Sequence, residues 1–199
     1  VNKEGFNSAV ADLYRLSRGL RTAELLTGEG DKKITAIYGS GTDLGYYWDK
    51  KLDYGDYTIV NPTDGLANDY WNVLFDIVKG SNVIISRLPS SPLSDDDKTA
   101  IEAEARFFRA YAYRFLVYLY GDVPEIKEEI TAPKFDFVRA PKSEILAFMT
   151  EDLKFASAHL PVANPGNGQL CKAAADHLLA ETYIASGDYN NALASATSV

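Results

Sequence analysis

From Glu104 to Pro124 the chain reads Glu-Ala-Arg-Phe-Phe-Arg-Ala-Tyr-Ala-Tyr-Arg-Phe-Leu-Val-Tyr-Leu-Tyr-Gly-Asp-Val-Pro, and no other stretch constrains the fold so tightly. Ala105, Phe108, Ala112, Phe115 and Leu119 recur at spacings of three and four, and Phe107, Tyr111 and Tyr118 set a second apolar row beside the first. A helix that is apolar on more than one face belongs inside an assembly of helices. Its start is marked by Ser94, whose side chain can cap free amides, and by Asp95, Asp96 and Asp97, which place negative charge at the positive end of the helix dipole. Gly121 tolerates a left-handed exit and Pro124 prevents resumption. Glu102 precedes Arg106 by one turn, so a local ion pair is expected. Arg106, Arg109 and Arg114 read as structural side chains within this aromatic-rich helix.

The same periodicity predicts a helix from about Gly5 to Leu20, with Phe6, Val10, Leu13 and Leu20 on one face. A second runs from about Leu66 to Leu88, with Tyr70, Leu74, Ile77, Ser81, Ile84 and Leu88 as its core seam and Asp64 as a cap. Pro89 and Pro92 separate it from the central helix. After Pro124 the chain reads as irregular to Ala140, and Pro141 suits the first turn of a helix ending near His159. Leu179, Ala180, Tyr183, Gly187, Tyr189, Ala192 and Ala196 follow the small and aromatic spacing of a tetratricopeptide unit, in which small residues let paired helices approach and tyrosines fill the groove. The fold class expected is all-α, a tetratricopeptide-like α-α superhelix with one long irregular aromatic-rich connection, from Lys33 to Ala67.

The net charge of −8 and the absence of a Lys/Arg cluster argue against nucleic-acid binding. No apolar run has the length of a bilayer span, and Val1-Asn2-Lys3 does not open a signal peptide. The single cysteine, Cys171, cannot form an intramolecular disulfide and reads as a small buried residue. His159 and His177 fall in different predicted helices, without HExxH or CxxC spacing, and His159 is expected to be exposed at a helix end. Asp53 with Asp56 and Glu128 with Glu129 are carboxylate pairs, but acidic residues are too common here for such pairs to indicate a glycosidase. Gly39, Gly41 and Gly45 lack the strand and lysine of a phosphate loop. No catalytic residue, metal or cofactor is expected.

The long connection carries the candidate ligand chemistry. Tyr46, Tyr47 and Trp48, with Tyr54 and Tyr57, combine flat apolar faces with polar groups, and Asp49 and Lys50 stand beside them. A sugar ring presents C–H groups on one face and hydroxyls at its rim, so such a platform suits it. The structural alternative is that these tyrosines pack on helices and satisfy backbone groups through their hydroxyls.

The Glu104–Pro124 run resembles the signature of the SusD/RagB family, surface glycan-binding lipoproteins of Bacteroidetes, usually written close to EARFLRAYAYFxLVxxYGDVPL. Phe108 replaces a common Leu, Arg114 stands where an aromatic is frequent, and Glu125 replaces an apolar residue. Three more matches follow the family's order. Tyr70-Trp71-Asn72 with Ile77, Asn82 and Ile84-Ile85 resembles the helix written YWxxxYxxIxxaNxiI. Ser143-Glu144-Ile145-Leu146 with Leu160-Pro161 resembles the next helix and its exit. Gly168 to Ala175 with Leu178-Leu179-Ala180 resembles GRxTKxAAxxLLA. Residues 1–69 match loosely.

The resemblance implies a non-enzymatic carbohydrate-binding protein of polysaccharide utilization and nutrient uptake. It would sit at the cell outer membrane, surface-exposed on an N-terminal lipid anchor whose cysteine this sequence lacks. It would pass oligosaccharide or polysaccharide to a TonB-dependent (SusC-like) outer-membrane transporter. Residues 1–199 would form one N-terminal helical-repeat domain, since family members are more than twice as long and the last residues stop within a helical pattern. Asp43 falls where the family has an acidic residue near its binding loop. The ligand-binding residues expected are Asp43, Tyr46, Tyr47, Trp48, Tyr54 and Tyr57. A reading of a different class is a helical-repeat module that binds a protein or peptide and no sugar.

Overall fold

A computed structural model of the chain describes residues 2–22 and 65–199. Six helices lie among the described residues: α1 (Lys3–Thr22), α2 (Gly65–Arg87), α3 (Asp95–Tyr120), α4 (Lys142–His159), α5 (Lys172–Ser186) and α6 (Tyr189–Thr197). Two short strands, β1 (Val123–Pro124) and β2 (Arg139–Ala140), pair antiparallel with Val123 opposite Ala140. The chain divides into two compact units, Tyr14–Phe75 and Val1–Leu13 with Asp76–Val199.

Among the described residues of the smaller unit, the Tyr70 hydroxyl donates to the Leu20 carbonyl at 3.3 Å. Trp71 is half-buried, with its ring 4.8 Å from that of Phe75, in keeping with a packing role.

In the larger unit, α1 begins earlier than its periodicity indicates because the Asn2 side chain accepts from the Gly5 amide at 3.0 Å. Phe6, Val10 and Leu13 are buried, and a Cβ placed on Gly80 would meet Leu13 Cδ2 at 3.0 Å. The glycine therefore sets how closely that part of α2 approaches α1. Ser94 caps α3 by accepting from the Asp97 amide, and Gly121 closes it with φ +72 and an amide bond to the Val117 carbonyl. Ile77, Ser81 and Ile84 of the expected seam are buried along α2, Leu88 is buried just past its end, and Val78 is buried beside them.

Successive helices pack on one another, α3 on α4, α4 on α5 and α5 on α6. The two-residue turn between α5 and α6, with Gly187 left-handed at φ +80, makes these two antiparallel neighbours. Leu179, Ala180, Tyr183 and Ala192 are buried as the repeat spacing requires. Tyr189 and Ala196 are exposed, because only α5 covers α6 among the described residues.

Two apolar assignments on α3 are corrected. Tyr118 and Leu119 are about half exposed. They share the apolar period but lie in the last turn, beyond the part of the helix that buries Leu116 and Val117. Cys171 occupies the N-cap position of α5 and is partly exposed, where backbone geometry holds it outside the core.

Candidate functional site

The route to a site begins with polar groups inside the larger unit. Arg109 of α3 is 4% exposed, a burial that an arginine tolerates only when its donors are satisfied. Its Nε and Nη2 donate to the two carboxylate oxygens of Asp152 on α4, each at 2.8 Å. Nη1 donates to Asn82 Oδ1 of α2 at 2.6 Å and to the Lys127 carbonyl at 3.0 Å. Asn82 Nδ2 in turn donates to the Ile126 carbonyl at 2.9 Å. The guanidinium carbon sits 4.8 Å from the Phe148 ring centroid, so an aromatic face covers the remaining side. Burial pushes the Asp152 carboxyl above its ordinary value, and the bonds and charge of Arg109 act against that rise.

Tyr113, one turn along α3 and fully buried, completes the cluster. Its hydroxyl donates to the Pro124 carbonyl at 3.1 Å and accepts from the Ile126 amide at 2.7 Å. Burial pushes this phenol well above its ordinary value. Arg106 is held outside the cluster by Glu102, at 2.6 Å, and reaches Asp152 at 3.5 Å. The local pair anticipated from spacing is therefore present, and Arg114, further along α3, pairs with Glu181 of α5 at 2.7 Å.

The effect is to fasten residues 124–127 to α2 and α3, with Asp152 of α4 holding Arg109 in place. Just beyond, Arg87 of α2 donates to both carboxylate oxygens of Glu129, and the Glu129 amide donates to Ser86 Oγ at 3.2 Å. The far end is closed by β2 on β1 and by Arg139, which donates to the Asp122 carbonyl at 3.2 Å. Residues 125–138 thus form a hook whose two ends are fixed side by side.

Ile130, Phe135, Phe137 and Val138 on this hook are all exposed, Phe135 at 93%. The hook curls around a concavity of about 890 Å³ lined by residues between Glu125 and Phe137, where the rings of Phe135 and Phe137 meet the polar groups of Glu128, Lys134 and Asp136. The Lys134 ammonium lies 5.6 Å from the Phe137 ring centroid. Such a mixture of flat apolar faces and polar groups can hold an uncharged, hydroxyl-rich molecule.

Asp43, Tyr46, Tyr47, Trp48, Tyr54 and Tyr57 lie outside the described residues. Sequence reasoning left the hook unassigned. Its signal was the Phe-Asp-Phe alternation after Pro133-Lys134, which shows apolar residues but not that they stay uncovered. His159 is exposed at the end of α4 as expected, and His177 is exposed on α5. No group of three or more His, Cys, Asp or Glu side chains suited to a metal ion occurs among the described residues, and none of the described helices is long and apolar enough to cross a membrane.

Residues 35–184 match the SusD-like family described as starch-binding and associating with the outer membrane. The chain belongs to the SusD-like family. A SusD-like protein of Formosa agariphila, designated P2, is 26% identical over 198 residues, which cover 95% of this chain and 39% of that protein. The fold is seen again in a crystal structure determined with a xylogluco-oligosaccharide, with TM-score 0.79, 22% identity, and coverage of 96% of this chain and 39% of the other. A laminarin-binding SusD-like protein gives TM-score 0.76 at 23% identity, covering 98% of this chain and 42% of its own. The chain therefore spans about two fifths of these SusD-like relatives.

Proposed function

We propose that the protein is a non-enzymatic, surface-exposed, lipid-anchored carbohydrate-binding component of an outer-membrane uptake system, which captures oligosaccharide and passes it to a TonB-dependent transporter. The observation that carries this reading is the family match over residues 35–184, in a family described by starch binding and outer-membrane association. The laminarin-binding relative and the one crystallised with a xylogluco-oligosaccharide support a glycan as the ligand class. Asp43, Tyr46, Tyr47, Trp48, Tyr54 and Tyr57 remain the proposed ligand contacts of the aromatic connection, by stacking and hydrogen bonding. Isothermal titration of the whole protein, as the cell makes it, against starch, laminarin and xyloglucan tests the reading. Saturable binding to at least one is expected, and silence toward all three would count against it.

A second reading, a helical-repeat module that binds a protein or peptide and no sugar, draws on one observation. Ile184, Tyr189 and Leu193 are all more than half exposed on the α5–α6 pair. Stacked repeats use such surfaces for partner binding. Capture of the transporter by a wild-type protein that binds none of the glycans, lost on Tyr189→Ala with Leu193→Ala, would favour this reading.

A further inference from the structure

The hook from Glu125 to Val138 has two fixed ends and an exposed middle. Among the backbone bonds of the described residues outside helices and strands, none involves a peptide group between Ile130 and Phe137, so these groups are open to solvent. The carboxylates of Glu128 and Asp136 make no ion pair among the described residues. Phe135 and Phe137 are offered to solvent at the same concavity, and its volume of about 890 Å³ falls in the range of about 300–1,000 Å³ typical of small-molecule sites.

We infer that this hook is a second carbohydrate contact, separate from the aromatic connection, which takes part of a neutral oligosaccharide chain on Phe135 and Phe137. The inference rests on the carbohydrate-binding reading above and adds a place to it. Each phenyl ring supplies a flat apolar face for the C–H side of a sugar, and the unbonded peptide groups with Glu128, Lys134 and Asp136 supply partners of both kinds for its hydroxyls. An anionic lipid surface fits less well, because carboxylates line the concavity beside its two lysines. The fixed base matters energetically: the two ends of the hook are held before the ligand arrives, so only the exposed middle has to be ordered on binding.

A contact of this kind is weak alone and gains by linkage. A long glycan that also occupies another site on the protein engages the hook at high effective concentration, whereas a short oligosaccharide reaches one site at a time. The signature is therefore a dependence on ligand length. The experiment compares the whole protein with its Phe135→Ala/Phe137→Ala variant and, as a control at another exposed apolar residue, Val162→Ser, using starch, laminarin and xyloglucan both as polymers and as short oligosaccharides. For the polymer that the wild type retains, the double variant should bind about tenfold more weakly, with the short oligosaccharide changed less than about threefold. Phe135→Trp should keep polymer affinity and add a fluorescence change on titration beyond that of the wild type, whose Trp48 is itself a proposed contact. Equal polymer affinity for wild type and double variant would overturn the hook while leaving the carbohydrate reading intact. Failure of the wild type to bind any of the three would overturn both. Loss of transporter capture by the double variant with unchanged polymer affinity would reassign the hook to a protein partner.

Discussion

The Arg109 cluster and the hook it fastens are only a few residues apart in sequence, yet they are built on opposite rules. Around Arg109, charged and polar side chains sit at almost no exposure and their hydrogen-bonding groups are matched. On the outer part of the hook, from Ile130 to Phe137, apolar side chains are exposed and the peptide groups face solvent. The first arrangement fixes one conformation at the cost of desolvating charge. The second leaves interaction capacity open, and it keeps a defined shape only because the first holds its base. Stability and binding are thereby assigned to different residues.

The comparison breaks most severely at Arg109. Arg109→Ala strands the Asp152 carboxylate in the interior and frees the Asn82 side chain and the Lys127 carbonyl, so a loss of about 3–5 kcal/mol in denaturant unfolding is expected. Arg109→Met combined with Asp152→Leu should recover much of that loss, because the stranded charge is gone. If the double replacement is as damaging as Arg109→Ala, the cluster's value lies in its bonds to the hook and not in pairing a buried charge.

A smaller break is made at Tyr113. Tyr113→Phe keeps the ring against Phe148 but removes the hydroxyl that serves both Pro124 and Ile126. A buried amide and carbonyl left without partners should cost about 1–3 kcal/mol. Hydrogen exchange at the Ile126 amide should accelerate more than exchange in α4, and uniform acceleration would show that the hook's base is not a separate unit.

These two side chains also mark what the sequence could and could not disclose. The Ser94 cap, the Gly121 exit and the Glu102–Arg106 pair depend on neighbours within a turn, so spacing alone predicts them. Arg109 sits among the same aromatic residues as Arg106 and Arg114, and spacing does not single it out. Its partners are 43 and 27 residues away, brought together by the packing of three helices. Burial at Leu119 was misjudged for a related reason: periodicity gives a face but not the length over which that face is covered. The hook is hidden more deeply, because β1 and β2 are two residues each, too short to leave an alternating pattern. The proposed aromatic platform from Asp43 to Tyr57 was legible as chemistry and lies outside the described residues.

The link between the two regions can be read by pH. Arg87, donating to both oxygens of Glu129, holds that carboxyl below its ordinary value of 4.5. A carboxyl with a depressed native value contributes stability above the unfolded value, and the contribution drains as pH falls through the lower native one. Between neutrality and the ordinary value this tether should be intact, and further acidification should loosen the hook. A carboxyl titration by nuclear magnetic resonance should give Glu129 a midpoint below 4.5, and Arg87→Ala should move it back up. An unchanged midpoint in that variant would place the tether elsewhere, at the Ser86 bond.

The smallest effect is the most informative about the hook itself. Phe135→Ala removes a ring that is 93% exposed, so almost no burial is lost on folding. The change in stability should stay within about 0.5 kcal/mol, as for surface positions generally. A core phenylalanine behaves otherwise: Phe148, at 6% exposure and in contact with Arg109 and Tyr113, should cost about 3–5 kcal/mol when cut to alanine. Thermal unfolding of the two variants side by side measures the contrast directly. A residue that costs nothing to remove from the free protein yet weakens its hold on a polymer is there for the ligand. Should Phe135→Ala instead destabilise by more than about 1 kcal/mol, the ring would be packing on a surface of this protein, and the hook would lose its claim to be an open contact.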